Sequence, residues 1–142
     1  MKPIHPIRRA PAGDAAALSA LAERTFRDTF AAYNAPEDMD EHCRGNYAPD
    51  IFAGEIAAAH IVTLVAEHAG HLTGYGQLRW TDAPACVTGV RPAEIGRLYV
   101  DAPWHGHGIA QALTARMVED AIAGGADRLW LGVWENNHRA LA

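Results

Sequence analysis

The chain has 142 residues, of which 49% are hydrophobic and 20% are charged, and its formal net charge is −5. These values predict one globular domain over residues 1–142 and argue against nucleic-acid binding, which needs clustered lysine and arginine. The sequence contains neither the apolar core of a signal peptide nor an apolar run of membrane-spanning length. We therefore expect a cytoplasmic protein without a membrane partner. Cys43 and Cys86 lack metal-type spacing and predict no disulfide framework.

The first part of the chain predicts a strand followed by helices. Residues 4–10 have the pattern of a strand, and Asp14 is placed to cap the helix that follows. That helix is indicated by residues recurring at helical spacing: Leu18, Leu21, Ala22, Thr25, Phe26 and Phe30. Residues 34–59 predict two short helices, separated by Gly45 and Pro49.

Two strand-like runs then predict a β-hairpin. Residues 60–67 and 72–80 are rich in strand-forming side chains and flank a turn at Ala69 and Gly70. Glycines at positions 74 and 76 interrupt the second run. They indicate a β-bulge or the close approach of another group.

A further strand is expected over residues 93–100, after a loop. Strict alternation would place one set of side chains on one face of that strand, namely Glu94, Gly96, Leu98 and Val100. The other face would then carry Ile95, Arg97 and Tyr99.

A helix is expected from Gly108 to the glycine pair 124–125, where it ends. Its core-facing stripe is predicted to combine two neighbouring rows, Ile109, Leu113, Met117 and Ala121 with Ala110, Val118 and Ile122. Residues 127–135 predict another strand, and residues 136–142 begin a helix. The fold class is α/β with a mixed sheet, and residues 94–134 should form a right-handed parallel crossover.

The loop before this helix, His105-Gly106-His107-Gly108, places bare backbone at a helix N-terminus. Such a site favours an anion, because it combines unpaired amides with the positive end of the helix dipole. No lysine follows as a P-loop requires, and the glycine spacing does not fit a dinucleotide fingerprint. Two alternatives stay open. The histidines could ligate a metal, although no compact set of further ligands is present, or the glycines could serve only to turn the chain.

The segment EIGRLYVDAPWHGHGIAQALTARMVEDA resembles the central motif of the GNAT superfamily of acetyl-CoA-dependent N-acetyltransferases. That motif has a strand followed by Q/R-x-x-G-x-G/A at a helix start, and residues 105–110 match it with His105 in place of Gln or Arg. The resemblance covers essentially the whole chain and is closest to the branch that includes polyamine-acetylating enzymes. It implies a mostly antiparallel twisted sheet with flanking helices, in which the fourth and fifth strands splay apart.

The resemblance also implies a set of cofactor contacts. Backbone groups of Leu98, Tyr99 and Val100 would bind the pantetheine arm of acetyl-CoA, and Asn137 would contact the cofactor near the fifth strand. The pyrophosphate would lie on the amides of seven consecutive residues: His105, Gly106, His107, Gly108, Ile109, Ala110 and Gln111. Glu94 is the candidate general base, the alternative being a solvated acid at a strand start. No metal is expected.

The resemblance implies acetyl transfer to a primary amine of a small molecule, with polyamines among the candidates. The alternatives are a non-catalytic acyl-CoA-binding protein and a peptide N-terminal or lysine acetyltransferase. The family pattern continues beyond Ala142 into a helix and a final β-hairpin, one tyrosine of which often protonates the leaving thiolate. A chain without that hairpin is expected to have an uncovered sheet edge and to form a homo-oligomer through it.

Overall fold

The computed structural model describes residues 6–80 and 91–130, and its elements follow the predicted order. The strands are β1 (Ile7–Arg9), β2 (Ile61–His68), β3 (His71–Arg79), β4 (Pro92–Val100) and β5 (Arg128–Trp130). The helices are α1 (Ala15–Phe30), α2 (Pro36–Asn46), α3 (Pro49–Ala57) and α4 (Ile109–Ala123). Single 3₁₀ turns cover Ala12–Asp14, Ala31–Tyr33 and Ala102–Trp104.

The five strands form one sheet in the order β1-β2-β3-β4-β5. The pairs from β1 to β4 are antiparallel, whereas β4 and β5 are parallel and are joined through α4. This confirms the predicted mixed, mostly antiparallel sheet with one parallel crossover. The expected splaying of β4 from β5, the rest of the strand predicted to residue 135 and the helical start after it lie outside the described residues.

The N-terminal region differs from its prediction at two points. Asp14 does occupy the position before α1, but it makes no side-chain cap, and its carboxylate instead accepts a hydrogen bond of 2.6 Å from Arg8. A 3₁₀ turn precedes α1 and already gives Asp14 helical dihedral angles, so the capping geometry is not available. Gly45 does not separate the short helices. The break falls at residues 47–48, and Pro49 starts α3, where its missing amide costs nothing.

The β2–β3 hairpin is confirmed. Ala69 and Gly70 form its two-residue turn with φ angles of 50° and 82°, which is the left-handed backbone that favours Asn and Gly in such turns. Gly74 and Gly76 of β3 lie under α4. A Cβ on Gly74 would be 3.0 Å from Cγ2 of Ile109, and one on Gly76 would be 3.0 Å from Cε of Met117. The predicted close approach is therefore that of a helix onto the sheet.

Each face of the sheet has its own hydrophobic core. The first core packs α1 and α3 against β2 and β3, with Leu18, Leu21, Phe52 and Tyr75 fully or almost fully buried. The second core packs α4 against the opposite face and includes Leu64, Leu78, Ile95 and Leu113. Among the described residues no helix is long and apolar enough to cross a bilayer.

The apolar stripe of α4 is narrower than predicted. One row is buried as expected, and it consists of Ile109, Leu113, Met117 and Ala121. The second row is exposed: Val118 is 38% and Ile122 is 69% accessible, and Ala110 is also on the surface. The glycine floor of β3 draws α4 close enough to bury one row fully, while the neighbouring row points away from the sheet.

A bulge in β4 overturns the predicted alternation of its side chains. Gln77 pairs with Arg97 and the next residue, Leu78, pairs with Ile95, so Gly96 is an extra residue without a partner. The residues on the two sides of the bulge therefore change faces relative to strict alternation. Glu94 shares a face with Arg97 and Tyr99, toward α1 and α3, whereas Ile95 faces α4.

The two glycines that follow α4 confirm the predicted helix end. Gly125 has φ +85°, its amide donates to the carbonyl of Ile122, and the Ala126 amide donates to that of Ala121.

We expect Gly125→Ala to lower the free energy of unfolding by about 1–2 kcal/mol, because a Cβ is strained in this backbone conformation. Gly54→Ala, inside α3 with open space around it, should instead raise that free energy by about 0.5–1 kcal/mol. Urea denaturation of both variants checks the opposite signs.

Candidate active site

The candidate site begins where β4 leads into α4. Asp101 follows β4 and starts the 3₁₀ turn, because its carboxylate accepts the Ala102 amide at 3.1 Å and its carbonyl accepts the Trp104 amide at 2.9 Å. The side chain of His105 then returns to the strand, with Nε2 2.8 Å from the carbonyl oxygen of Val100. These local contacts fix the path of the chain into the glycine loop.

The glycine loop needs two left-handed residues. Gly106 has φ +85° and Gly108, the residue before α4, has φ +79°. A side chain at either position would be strained. The two glycines, two positions apart, therefore occupy the two left-handed positions of this loop.

Five amides of this loop are unoccupied. The described part of the chain offers no acceptor to the amides of Gly106, Gly108, Ile109, Ala110 and Gln111. The first capping contact of α4 is the Ala112 amide to the Gly108 carbonyl at 3.0 Å. The loop thus presents several donors together with the positive end of the α4 dipole.

The predicted set of seven amides needs correction at two positions. The amide of His105 donates to the carbonyl of Ala102 at 3.2 Å, and that of His107 donates to the carbonyl of Trp104 at 3.4 Å. Both are used to build the turn, since a 3₁₀ path closes its own hydrogen bonds. The ring of His107 also packs edge-on against Trp104, with centroids 5.4 Å apart.

The free amides lie at an open cavity of about 430 Å³. It is lined by Val100, Trp104, His105, Gly106, Gly108, Ile109, Ala110 and Gln111. Six of these eight residues lie in the loop and the first turn of α4, Trp104 ends the 3₁₀ turn before the loop, and Val100 ends β4. Concave space, bare backbone and a helix N-terminus therefore coincide, which is an arrangement suited to an anionic group.

The other residues predicted to bind the cofactor lie along β4 or beyond the described part. Leu98 faces α4 and packs with the second core, whereas Tyr99 faces α1 and stacks on Tyr75 with centroids 5.8 Å apart. In the described part, β5 pairs only with residues 92–94 of β4. Along residues 95–100, the edge of β4 that faces away from β3 has no described strand beside it. Asn137 lies outside the described residues.

Glu94 lies near the start of β4, half-buried, opposite Arg79 of β3 and Trp130 of β5. It lies six positions before Val100, which at the rise of an extended strand is about 20 Å. Because of the Gly96 bulge, its side chain is on the α1 and α3 face together with Tyr99, not on the opposite one.

Beside Glu94, a charged network crosses the α3 face of the sheet, and the sequence analysis missed its role. The Glu55 carboxylate of α3 accepts hydrogen bonds from Gln77 at 2.9 Å, Arg79 at 3.1 Å and Arg97 at 3.3 Å. The Arg97 guanidinium also lies 5.0 Å from the ring centroid of Tyr47. The signal available in the sequence was Arg97, a charged residue in the middle of an apolar strand. Its partner Glu55 is 42 residues away along the chain.

Three tyrosines surround this network, and burial raises the pKa of Tyr47, Tyr75 and Tyr99. Loss of solvation disfavours a phenolate in each case, so all three hydroxyls stay protonated at neutral pH. The hydroxyl of Tyr75 and Nη1 of Arg97 are buried without a partner in the described part.

A second ion pair connects α1 to the glycine loop. Arg24 donates to both carboxylate oxygens of Asp101, at 3.0 and 2.9 Å, and this hydrogen bonding raises the pKa of Arg24. Asp101 is therefore held from α1 while it starts the turn that leads to the free amides. Within residues 6–80 and 91–130, no group of three or more His, Cys, Asp or Glu side chains is placed to hold a metal ion.

Comparison with known proteins identifies the class to which this arrangement belongs. A sequence profile described as the acetyltransferase (GNAT) family matches residues 18–142. An uncharacterized N-acetyltransferase of Mycobacterium tuberculosis is 34% identical over 127 residues, which are 89% of this chain and 77% of that protein. An uncharacterized N-acetyltransferase of Lactobacillus delbrueckii subsp. lactis is 31% identical and is matched over 85% of this chain and 70% of its own length.

Solved structures share the fold. The PaiA N-acetyltransferase from Thermoplasma acidophilum, crystallised with coenzyme A, superimposes with a TM-score of 0.85 at 21% identity, over 99% of this chain and 85% of that one. An aminoglycoside acetyltransferase from a soil metagenome, in complex with sisomicin, gives a TM-score of 0.71 at 17% identity, over 97% and 83% of the two chains.

The chain therefore belongs to the GNAT family of acetyltransferases, as its central motif predicted. It is an acyltransferase that uses acetyl-CoA.

Proposed function

We propose that the protein transfers the acetyl group of acetyl-CoA to a primary amine of a small cationic molecule, a polyamine being one candidate. The observation that carries the proposal is the set of five unoccupied amides at the N-terminus of α4, facing a cavity of about 430 Å³. Those amides are suited to the pyrophosphate, and backbone groups of Leu98, Tyr99 and Val100 to the pantetheine arm. Asn137 would add a contact near the end of the fifth strand.

Acetyl-CoA supplies the activated acetyl thioester, and the protein supplies orientation and proton transfer. In this proposal Glu94 accepts the proton of the attacking amine, directly or through a water molecule, while the new carbon–nitrogen bond forms. A backbone amide beside the thioester carbonyl stabilises the oxyanion before the thiolate leaves. The position of Glu94 on the α1 and α3 face supports this role, because the acceptor in this proposal binds on that face, where Arg97 contacts both α2 and α3.

Uncompensated acids on α2 support a cationic acceptor. The carboxylates of Glu37, Asp38 and Glu41 are exposed and have no ion pair with any residue of the described part. Helix α2 ends beside the site, where Arg97 donates to the Asn46 carbonyl at 3.3 Å. A surface of this charge attracts polyamines and other amines that are protonated in solution. One structural relative is an aminoglycoside acetyltransferase in complex with sisomicin.

The general-base assignment is tested by Glu94→Gln. We expect kcat to fall by about a hundredfold, because the amide cannot accept the amine proton, while the Kd for acetyl-CoA stays unchanged. Glu119→Gln, an exposed acid on α4, is the matched control and should keep full activity. Thiol release measured with a panel of amines checks both variants. An unaltered kcat in Glu94→Gln would remove Glu94 from the mechanism.

The same thiol-release assay separates the proposed function from a non-catalytic acyl-CoA-binding protein. Calorimetric binding of acetyl-CoA without turnover of any amine would favour the binding protein, and turnover only with peptides would favour a peptide acetyltransferase.

Homo-oligomerisation stays part of the proposal and is supported by the exposed apolar side chains of Val118 and Ile122. A monodisperse monomer in light scattering would contradict it. The cytoplasmic location stays a prediction from the sequence.

A further inference from the structure

A second cavity lies on the α4 face of the sheet, away from the glycine loop. We call it the basic groove. It measures about 280 Å³ and is lined by Arg9, Val62, Trp80, Arg91, Arg116, Asp120, Ala123 and Gly124. Gly124 is sixteen residues along α4 from Gly108, which corresponds to about 24 Å at the rise of an α-helix. The basic groove is therefore separate from the candidate acetyl-CoA site.

The sheet register brings the groove residues onto one face. Arg9 of the edge strand β1 pairs with Leu64, a member of the core under α4, so its side chain points to the same face. Trp80 follows β3 and donates its amide to the His60 carbonyl at 2.9 Å. A Cβ at Gly124 would lie only 2.5 Å from Cζ2 of Trp80, so the indole edge packs directly on the backbone at the end of α4.

Two of the three guanidinium groups are held in place by the protein. Arg91 lies 4.2 Å from the centroid of the Trp80 ring and donates from Nε to the Gly124 carbonyl at 2.9 Å. Arg116 donates from Nε to Asp120 at 3.2 Å. Within the described part the Nη groups of both arginines have no hydrogen-bond partner, and Arg9 has none at all. Orientation by the protein lowers the entropy that a ligand must overcome.

The charge of the groove is opposite to that of the whole chain. Three arginines face one aspartate, giving a net charge of +2, in a protein whose formal net charge is −5. The floor between the charges is apolar and consists of Val62, Trp80 and Ala123. Guanidinium groups are well matched to phosphate and carboxylate oxygens, which they bind in a bidentate manner.

We propose that the basic groove binds a small organic oxyanion, a phosphate or carboxylate carried on a compact apolar body. The oxyanion accepts hydrogen bonds from Arg9, Arg91 and Arg116, and the apolar body rests on Trp80 and Val62. The site is one of binding only, with no reaction at the bound molecule.

Calorimetric titration of the full chain with phenyl phosphate tests the proposal. Saturating acetyl-CoA is present, so that the candidate cofactor site is filled. We expect saturable binding, weakened about tenfold by Arg9→Ala and about tenfold by Arg116→Ala, since each change removes a charge-assisted hydrogen bond. Arg128→Ala is the matched control: it removes the same charge from an exposed arginine outside the groove and should leave the Kd unchanged. Phenol, which lacks the oxyanion, should not bind measurably.

A second titration separates this proposal from the proposed function. In Gly108→Val without acetyl-CoA, phenyl phosphate should still bind with the wild-type Kd, because the glycine loop takes no part in the groove. Loss of binding in Gly108→Val with unchanged binding in Arg9→Ala and Arg116→Ala would assign the phosphate to the glycine loop and overturn the proposal. Failure of the wild-type protein to bind phenyl phosphate would overturn it as well. Circular dichroism checks that the exposed substitutions leave the fold intact.

Discussion

Replacement of Glu55 by alanine is expected to lower the free energy of unfolding by about 3–5 kcal/mol and the Tm by roughly 10 °C. Glu55 is 16% exposed and pairs with Arg79 and Arg97, whose side chains are 22% and 13% exposed. Removal of the carboxylate leaves two guanidinium groups with little access to water and without the acceptor that they share. Thermal and urea unfolding followed by circular dichroism measure the loss.

Two further variants show whether charge pairing is the cause. Glu55→Gln keeps an acceptor for Gln77 but removes the negative charge, and should give an intermediate loss of stability. Asp38→Ala removes an exposed carboxylate from α2 and should change the free energy of unfolding by less than about 0.5 kcal/mol. Equal losses in Glu55→Ala and Asp38→Ala would show that the partly buried network contributes nothing specific to folding.

Gly108→Val is expected to weaken acetyl-CoA binding by about a thousandfold, or 4 kcal/mol. The left-handed backbone at φ +79° disfavours a β-branched residue, and the loop would have to move. Movement takes the amides of Ile109 and Ala110 out of the position from which they can donate to the pyrophosphate. Isothermal titration calorimetry with acetyl-CoA measures the change.

Gly125→Val is the matched control for this loss. It introduces the same side chain at φ +85°, at the other end of α4, so the backbone strain is similar and the candidate cofactor site is untouched. We expect its stability to fall while its Kd for acetyl-CoA stays within about twofold of wild type. Full binding in Gly108→Val would place the cofactor elsewhere, and equal weakening in both variants would attribute the effect to global destabilisation.

The parts of the fold that follow from local patterns were predictable from the sequence. The hairpin turn at residues 69–70, the buried row of α4 and the glycine end of that helix each depend on residues within a few positions of one another. The β4 faces were not predictable in this way. An alternating pattern assumes a period of two, and a single unpaired residue such as Gly96 breaks that period without leaving an apolar signature.

In the candidate site, too, the local features were predictable and the long-range contacts were not. The glycine loop was predicted because the backbone requirement at Gly106 and Gly108 is local. The partners of Asp101 and Arg97 are Arg24 and Glu55, 77 and 42 residues away along the chain. Only the packing of α1 and α3 on the sheet brings these charges together, and a single sequence contains no signal for such pairs.

The Gly96 bulge makes the length of β4 as important as its composition. If Gly96 were instead paired in regular alternation, the start of the strand would be rotated by half a turn relative to its end. The carboxylate of Glu94 would then be forced into the apolar layer beneath α4, and Ile95 would be turned out toward α3. Point substitutions in this strand can be absorbed by small local adjustments, whereas a one-residue shift of its pairing register would exchange the side chains that face α4 with those that face α1 and α3.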